Sequence, residues 1–542
     1  MKIKKFTALF LTFAMTMILT AGCSKKEEAV VDSKSGKDPY EIVFVHPGDA
    51  ATDMDVVLKE FYAQTQDTLN VSLKFVQAGW DDVGQKVALK ISAGEKLDSA
   101  FLAQWSVPSI SEAANNDQII SLDKYFNNDD YPGLKAAFAE EYLETNKFLG
   151  SDGEYHIYGI PFSNSYGSGG YVYYRKDLAD KYGITITTPE DLELYYDAIL
   201  ANEAGMTPLA FLGSQDQLLG AFYVNNNNIV KHNNSKEGLV AGRVIIKDDG
   251  TAYVSRSYVA ANDPEYMKYL DKNDKAATNP FWDYEIATRF YDKGYISTDT
   301  LNTVDAQAEF MAGRAASVVR GADVFTTISK QFKDALPEAE LGYLAVDTVM
   351  TGEPLGQQVA TLQAWNFATI PVTCENPDRV MEFYDWVFSS QANHDLLELG
   401  VEGKHWTAVG DDKYDLMTNP DTGNAYNLGG YLMTWNPTMY RVSSTIPEDV
   451  LSYIKNNSDQ EYFVKDVTAG FSFDSTPVKT ELALISDVAS IKSALGNGMI
   501  KDYKAEVTKV DKLLQEAGWE AYATEYEKQF NAYLVDHPYE GQ

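Results

Sequence analysis

Apolar residues alternate between the spacing of β-strands and the spacing of α-helices along most of the chain. Residues 42–45 form an apolar run that stops at a Pro-Gly turn, and in residues 70–77 Val71, Leu73 and Phe75 alternate with polar residues, so both segments predict strands. Residues 53–66 and 81–98 carry apolar residues at helical spacing, and "SAFLA" at 99–103 predicts another strand. This order of elements predicts a mostly parallel α/β sheet.

A second unit of the same kind begins with residues 170–184, which predict a strand followed by a short helix. Thr188 then precedes Pro189, Glu190 and Asp191. Thr is a good N-cap, proline fits the first helical turn, and acidic residues are favoured near the positive end of a helix. We therefore predict that a longer helix begins at Thr188.

The N-terminus has the order of a secretory signal. A basic stretch precedes an apolar run at residues 6–19, and this run is too short to span a bilayer as a helix. The small residues before Cys23 resemble a bacterial lipobox, with Thr20 in place of the more usual leucine. We predict a lipoprotein signal peptide over residues 1–22 and a lipid-anchored flexible linker over residues 23–38. The alternative is a plain signal peptide with an incidental cysteine.

Composition excludes several classes of function. The formal net charge is −34, which disfavours a nucleic-acid partner because phosphates require Lys and Arg. The chain has 2 cysteines, and if Cys23 is lipidated only Cys374 remains, so neither an intramolecular disulfide nor a cysteine-rich metal site is expected. A length of 542 residues exceeds one ordinary domain and predicts at least two lobes.

Several segments, taken in order, resemble the family-one extracellular solute-binding proteins of bacterial ABC sugar importers. They are "SAGEKLD" (92–98), "YHIYGIP" (155–161), "YYRKDLADKYGI" (173–184) and "FMAGRAASVV" (310–319). The C-terminal third is similar to the LipO-type lipoprotein branch, which carries an extra C-terminal domain. The segments that carry this second likeness are "LLELGVEGKHW" (396–406), "GFSFDSTPVKTELA" (470–483) and "AGWEAYATEYEKQF" (517–530).

The resemblance implies an α/β, two-lobed periplasmic-binding-protein-like fold of type II, like that of maltose-binding protein, with hinge crossings and an added C-terminal region. We expect crossings near residues 162–170, 313–322 and 362–371. The N-terminal lobe would then comprise residues 38–163 plus 318–364. The C-terminal lobe would comprise residues 166–314 plus 368–542, including the family-specific domain at about 400–542.

The resemblance also implies a function without covalent chemistry. The protein would be a monomeric substrate-binding lipoprotein on the extracellular face of a Gram-positive cell membrane. It would capture a carbohydrate, favoured to be an oligosaccharide, and deliver it to the membrane permease of an ABC importer whose ATPase is cytoplasmic. No cofactor is expected, and the presence of a structural calcium is left open.

Ligand sites on open α/β sheets lie beyond the carboxyl ends of the strands. In this chain those loops contain polar and aromatic residues that suit a sugar, since flat rings cover its apolar face and polar groups satisfy its hydroxyls. The candidates are His46, Asp49, Gln104, Trp80 and Trp105. His46 has the alternative role of capping a backbone carbonyl.

The crossing segments would form the floor of the cleft. Their candidates are Asn164 and Tyr166 at the first crossing, Arg320 and Asp323 at the second, and Trp365 and Asn366 at the third. Arg320 and Asp323 have the alternative of pairing with each other. Trp406 and Trp435 are candidates from the C-terminal region, with the alternative of packing the extra domain onto the core.

Two other functions stay open. A secreted glycan-active hydrolase would need two closely spaced carboxylates, and with 79 acidic residues no spacing singles out a pair. The same receptor fold could instead bind a peptide or another polar solute. No zinc helix, Gly-x-Ser-x-Gly elbow or P-loop occurs in the sequence.

Overall fold

The computed structural model describes the chain from residue 36 to residue 539. Within this range it does not describe residues 81, 163–169, 212–242, 260–261, 270–281, 304, 323, 346–357, 361, 427, 429–432, 434–435, 437, 440, 458 and 490–491. The predicted signal peptide, Cys23 and most of the predicted linker therefore lie outside the described residues. Among the helices it does describe, none combines the length and the apolar character needed to cross a membrane.

Strands and helices alternate over most of the described chain. The strands are β1 (Tyr40–Pro47), β2 (Val71–Ala78), β3 (Ser99–Ala103), β4 (Phe148–Leu149), β5 (Tyr155–His156), β6 (Gly159–Phe162), β7 (Gly170–Arg175), β8 (Val244–Ile246), β9 (Ala252–Val254), β10 (Ser317–Gly321), β11 (Leu341–Ala345), β12 (Gln358–Ala360), β13 (Asn366–Thr369), β14 (Trp406–Val409), β15 (Lys413–Leu416), β16 (Val442–Ser443) and β17 (Phe463–Lys465).

The helices, numbered in chain order, pack on both sheets and build the C-terminal domain. They are α1 (Met54–Thr65), α2 (Val83–Ser92), α3 (Ile110–Asn115), α4 (Pro132–Ala137), α5 (Glu140–Glu144), α6 (Lys176–Lys181), α7 (Pro189–Asn202), α8 (Trp282–Lys293), α9 (Ala306–Met311), α10 (Phe325–Ala335), α11 (Pro377–Phe388), α12 (Gln391–Glu398), α13 (Glu448–Asn457), α14 (Lys479–Ala489), α15 (Lys492–Gly496), α16 (Tyr503–Glu516) and α17 (Trp519–Asp536).

Local geometry confirms the helix start predicted at Thr188 and shows how α2 ends. Thr188 caps α7 and forms a reciprocal capping box with Asp191, with Pro189 as the first helical residue. Gly94 has φ +67° just after α2, the left-handed conformation that commonly ends a helix.

Lobe one is built on a five-stranded sheet of order β2-β1-β3-β13-β6. β1 runs parallel to β2 and to β3, as predicted for these first three strands. β13 is antiparallel to both β3 and β6. Helix α11 covers this sheet and buries Val380, Phe383 and Tyr384 in the same core as Phe44 of β1.

Lobe two is built on a three-stranded antiparallel sheet of order β10-β7-β11. One of its cores contains the buried aromatic residues Tyr195, Tyr196, Phe290 and Tyr295. The other contains Tyr171 and residues of α10 and α13. Many aromatic side chains of the protein are therefore buried in the cores of lobe two.

The predicted lobe boundaries are wrong in two places. Residues 318–345, predicted for the N-terminal lobe (318–364), belong to lobe two because β10 and β11 both pair with β7. Residues 368–400, predicted for the C-terminal lobe (368–542), belong to lobe one because β13 pairs with β3 and α11 packs in its core. The chain therefore does not cross near 313–322. The second crossing between the lobes lies between β12 and β13.

The added C-terminal region, predicted as one domain at about 400–542, is divided between the two lobes. Asp53 at the start of α1 accepts hydrogen bonds from Asn419 and Asn424, both at 2.7 Å, so this segment lies on lobe one. Helix α13 then packs in a core of lobe two, so the chain crosses between the lobes a third time between β16 and α13. The last part, from about residue 467, packs in a further core that it shares with β8 and β9.

This C-terminal domain, residues 467–535, is fixed to lobe two. Its helices share a core with β8 and β9. The buried carboxylate of Asp511 accepts hydrogen bonds from the backbone of Tyr258 (2.8 Å) and from Asn262 (2.9 Å). The domain also contacts lobe one, where the Ser472 backbone nitrogen donates a hydrogen bond to the Tyr155 hydroxyl at 3.2 Å.

Gly498 provides a test of this attachment. It has φ +72°, and a Cβ atom there would lie 2.0 Å from the backbone oxygen of Ala287 in α8. We expect Gly498→Ala to destabilise the protein by roughly 2–4 kcal/mol, from left-handed backbone strain plus overpacking. The measurement is chemical unfolding of the purified variant.

Gly403→Ala is the matched control, because Gly403 has φ +77° and no atom within 4 Å of the added Cβ. It should show only the backbone cost of roughly 1–2 kcal/mol. Equal losses in the two variants would contradict the close packing of the C-terminal domain on α8.

Candidate functional site

The loops that follow β1, β2 and β3 meet at one edge of the lobe-one sheet, because parallel strands end at the same edge. Asn366, the first residue of the antiparallel β13, pairs with Ala103 at the end of β3 and with Phe162 at the end of β6. The residues just before Asn366 therefore lie at this edge as well. The chain also leaves this edge toward lobe two, after β6, so the edge is the one next to the crossings.

Trp80 and Trp105 lie against each other at this edge. Their ring centroids are 6.2 Å apart with the planes tilted by 35°. Phe101 of β3 supports both from below, at 5.9 Å from Trp80 and 6.0 Å from Trp105. The Trp80 indole nitrogen comes within 3.3 Å of the point where a Cβ of Gly48 would be, so glycine at the β1 turn makes room for this ring.

Trp365 completes the group on the β13 side. Trp80, Trp105 and Trp365 are 40%, 49% and 50% exposed, which is unusual for the largest apolar side chain. We call these three residues the tryptophan platform. The fold thus brings to one edge five residues that were predicted from the sequence, namely Trp80, Gln104, Trp105, Trp365 and Asn366.

Side-chain amides tie the platform together. The Trp105 indole nitrogen donates to Asn366 Oδ1 at 3.2 Å. The Gln104 amide nitrogen donates to the backbone oxygen of Ala364 at 3.2 Å and lies 3.3 Å from Gln363 Oε1. These bonds connect the loop after β3 with the segment that enters β13.

His46 and Asp49 follow β1 but differ in environment. Asp49 is exposed, whereas His46 is only 5% exposed and lies edge-on to Phe75 with ring centroids 5.7 Å apart. Burial lowers the pKa of His46 to about 4, which keeps the ring neutral at physiological pH. The Gln77 side chain and the Pro47 backbone oxygen both act to raise the pKa of the His46 ring, and the alternative role of a carbonyl cap stays a prediction.

Arg320 lies on lobe two at the end of β10. Its Nε donates to Gln307 at 3.1 Å, and its guanidinium is 4.0 Å from Asp305. Burial lowers the pKa of Arg320, with Asp305 acting in the opposite direction. The predicted partner Asp323 lies outside the described residues, as do the candidates Asn164, Tyr166 and Trp435.

Trp406 is not part of the platform. It is 4% exposed, and its indole nitrogen donates to Gly400 at 2.9 Å while Arg441 lies over its ring at 5.5 Å. The arginine is in turn bound to the buried Asp395 at 2.7 Å. The prediction that Trp406 contacts the ligand is therefore wrong. Its alternative role, packing the C-terminal region, is the one observed.

Sequence reasoning missed Phe101, Gly48 and Gln363 as parts of the platform. Phe101 reads as an ordinary strand residue, and Gly48 as an ordinary turn glycine. The available signal was position, since each lies within five residues of a predicted tryptophan or strand end. Within the described ranges, no three His, Cys, Asp or Glu side chains come together as a metal site would require.

The chemistry of the platform follows from its parts. Three exposed indole rings offer apolar faces, and the amides of Gln104 and Asn366 offer donors and acceptors beside them. Such an arrangement fits a solute with an apolar face and polar groups around its rim.

Comparison with known proteins agrees with this two-lobed α/β architecture. A family model described as "Bacterial extracellular solute-binding protein" matches residues 57–402, and a second, described as a domain of unknown function (DUF3502), matches residues 467–535. The two lobes define a binding-protein fold, and the chain belongs to the bacterial extracellular solute-binding proteins.

Individual relatives are distant in sequence and similar over nearly the full length. A "Carbohydrate ABC transporter substrate-binding protein" from Streptococcus pneumoniae is 24% identical, covering 96% of this chain and 97% of its own. The N-glycan transport solute-binding protein NgtS of the same species, solved with Man5GlcNAc, is 18% identical with a TM-score of 0.62 and covers 93% of this chain and 100% of its own. The S. pneumoniae binding protein FusA, solved with kestose, is 15% identical with a TM-score of 0.58, covering 92% and 100%.

The buried His46 predicts a pH dependence of stability. Its folded pKa of about 4 lies below the usual 6.5, so the unfolded chain takes up a proton first as the pH falls. The wild type should therefore lose roughly 3 kcal/mol through this group between pH 6.5 and pH 4, in addition to losses through carboxylates. His46→Phe should show a flatter curve when both proteins are unfolded in urea across this range. Parallel curves would contradict the buried, neutral state of this ring.

Proposed function

We propose that the protein captures a carbohydrate, and specifically an oligosaccharide, on the tryptophan platform and delivers it to the membrane permease of an ABC importer. The observation that carries this proposal is the platform itself, three partly exposed indole rings at the sheet edge next to the lobe crossings. Indole faces cover the apolar C–H face of a sugar, while neighbouring amides satisfy its hydroxyls.

The width of the platform supports an oligosaccharide over a single sugar. Trp80 and Trp105 alone place two ring centroids 6.2 Å apart, and Trp365 extends the surface to β13. The Trp80 ring lies against Gly48, the residue after β1, and Trp365 directly precedes β13. Strands β1 and β13 flank β3, and neighbouring strands are roughly 4.8 Å apart, so the platform extends over about 10 Å of the sheet edge. The relatives described as carrying or binding glycans agree with this size.

The proposed mechanism is binding followed by closure of the lobes. Lobe one supplies the platform, and lobe two supplies polar groups such as Arg320 from across the crossings. A ligand that contacts both lobes stabilises the closed form over the open one and shifts the population toward it. The permease would then recognise the closed form. No bond of the ligand is broken in this mechanism.

A thermal-shift screen of residues 24–542 tests the ligand class. The panel contains neutral oligosaccharides, including Man5GlcNAc and kestose, their monosaccharides and a set of peptides. A true ligand at 100 times its Kd should stabilise the protein by roughly 2.7 kcal/mol. Trp80→Ala, Trp105→Ala and Trp365→Ala should each weaken the best ligand roughly tenfold or more, about 1.4 kcal/mol in calorimetry.

Trp406→Phe is the matched control, because it changes a buried tryptophan outside the platform. It should lower stability and leave the Kd unchanged. Wild-type affinity in all three platform variants would refute this site, and stabilisation by peptides alone would refute the carbohydrate class. Chromatography of the mixtures checks the mechanism, since shortened glycans would identify an enzyme.

Anchoring of the protein through Cys23 is the finer part of the proposed localisation. It is supported by the lipobox-like residues before Cys23 and by the polar linker after it. A diacylglyceryl group supplies two acyl chains, enough for stable attachment. Cys23→Ser should therefore move the protein from the membrane fraction to the soluble fraction of the producing cells. Unchanged retention of the variant in membranes would contradict lipid anchoring, and Cys374→Ser serves as the control that should stay membrane-bound.

A further inference from the structure

Asn146 is a fully buried polar residue that follows Thr145, the C-cap of helix α5, and 0% of its surface is exposed. Its amide nitrogen donates to the backbone oxygen of Tyr142 at 2.7 Å and to that of Leu362 at 3.0 Å. Its amide oxygen accepts from the backbone nitrogen of Ala364 at 2.8 Å. One side chain thus binds both ends of a three-residue turn more than 200 positions away in the sequence.

The turn that Asn146 holds is a crossing between the lobes. The Leu362 side chain packs in a core of lobe two, whereas Ala364 packs in a core of lobe one. Leu362 has φ +54°, a conformation that L-residues with branched side chains rarely adopt and that persists only when its surroundings fix it. The hydroxyl of Thr145 adds a further donor to the Leu362 oxygen, at 2.7 Å.

The residues that follow this turn belong to the tryptophan platform. Trp365 comes directly after Ala364, and Asn366 accepts the indole hydrogen bond of Trp105. Gln104 binds the oxygen of Ala364, the residue whose nitrogen Asn146 binds. The direction in which the chain leaves the turn therefore sets where Trp365 and Asn366 lie.

We propose that Asn146 is a positioning residue of the ligand site, which holds the turn from Leu362 to Ala364 so that Trp365 and Asn366 are placed on the platform before ligand binds. This inference rests on the proposed function for its effect on affinity. Asn146 itself touches no ligand, since it is fully buried. Pre-organisation of a site by buried hydrogen bonds raises affinity by removing the cost of ordering it.

A purely structural role is the competing explanation, and Asn457 is its matched control. Asn457 is also buried and its amide nitrogen donates to the oxygen four residues earlier, that of Tyr453, at 3.2 Å. Asn146 makes the equivalent bond to Tyr142 and adds the two bonds to the turn. Loss of the shared bond should cost both variants some stability, and only loss of the bonds to the turn should alter the platform.

The test is a double-mutant cycle between Asn146→Ala and Trp365→Ala, with the best glycan of the panel as ligand. We expect Asn146→Ala to weaken binding roughly tenfold in the wild-type background. The loss should be much smaller when Trp365 is already absent, because the placement of Trp365 is what Asn146 provides. Asn457→Ala should leave the Kd unchanged. If Asn146→Ala does not fold, Asn146→Ser takes its place, since serine is small and neutral and is too short to reach both Leu362 and Ala364.

A second measurement needs no ligand and separates this inference from the proposed function. Acrylamide quenching is compared between each protein and its Trp365→Phe partner, so that the signal of Trp365 is obtained by difference. The quenching constant of Trp365 should rise in the Asn146 variant and keep its wild-type value in Asn457→Ala. Additive effects in the cycle, or an unchanged quenching constant, would overturn the positioning role. Failure of every glycan to bind the wild type would overturn the proposed function and leave the quenching test in force.

Discussion

The antiparallel strand β13, inserted between β3 and β6, is the constraint on which the proposed site depends. Its register sets Asn366 opposite both Ala103 and Phe162. A slip of one residue would turn its side chains to the other face of the sheet and would remove Asn366 from the indole of Trp105. The backbone pairing of four residues thereby determines whether the loop after β3 and the crossing segment share one edge.

Local sequence was sufficient to find the part of the site that local geometry determines. Trp80 and Trp105 follow strands that are evident from apolar spacing, and the loops that follow parallel strands lie at the same edge of a sheet. Trp365 and Asn366 required the family resemblance, because a short strand gives no periodic signal of its own. The supporting ring of Phe101 is evident only from the fold, since successive strand residues alternate between faces and the sequence does not say which face is covered.

The lobe boundaries could not be read from the sequence for a different physical reason. Residues 310–321 look like a strand after a small-residue turn, and nothing local tells whether such a strand pairs with β7 or enters lobe one. The choice is made by non-local contacts, since α10 packs Phe325 and Ile328 into the core that also holds Tyr171. The aromatic content was equally ambiguous: Trp406 and the tyrosines of lobe two are core residues, and burial alone distinguishes them from the platform.

The C-terminal domain adds a constraint on any motion of the lobes. It is fixed to lobe two through Asp511 and through the contact of Gly498 with α8. It also contacts lobe one, at Tyr155 and at Thr145. A Cβ atom added to Gly470 would lie 3.7 Å from the Cα atom of Thr145. Thr145 binds the oxygen of Leu362, so this contact lies beside a crossing. Atoms near a rotation axis move little when a body turns, and a contact placed there survives closure that would break the same contact farther out. At Thr145 the domain can thus contact lobe one without opposing the proposed closure, because this contact lies where the displacement is smallest.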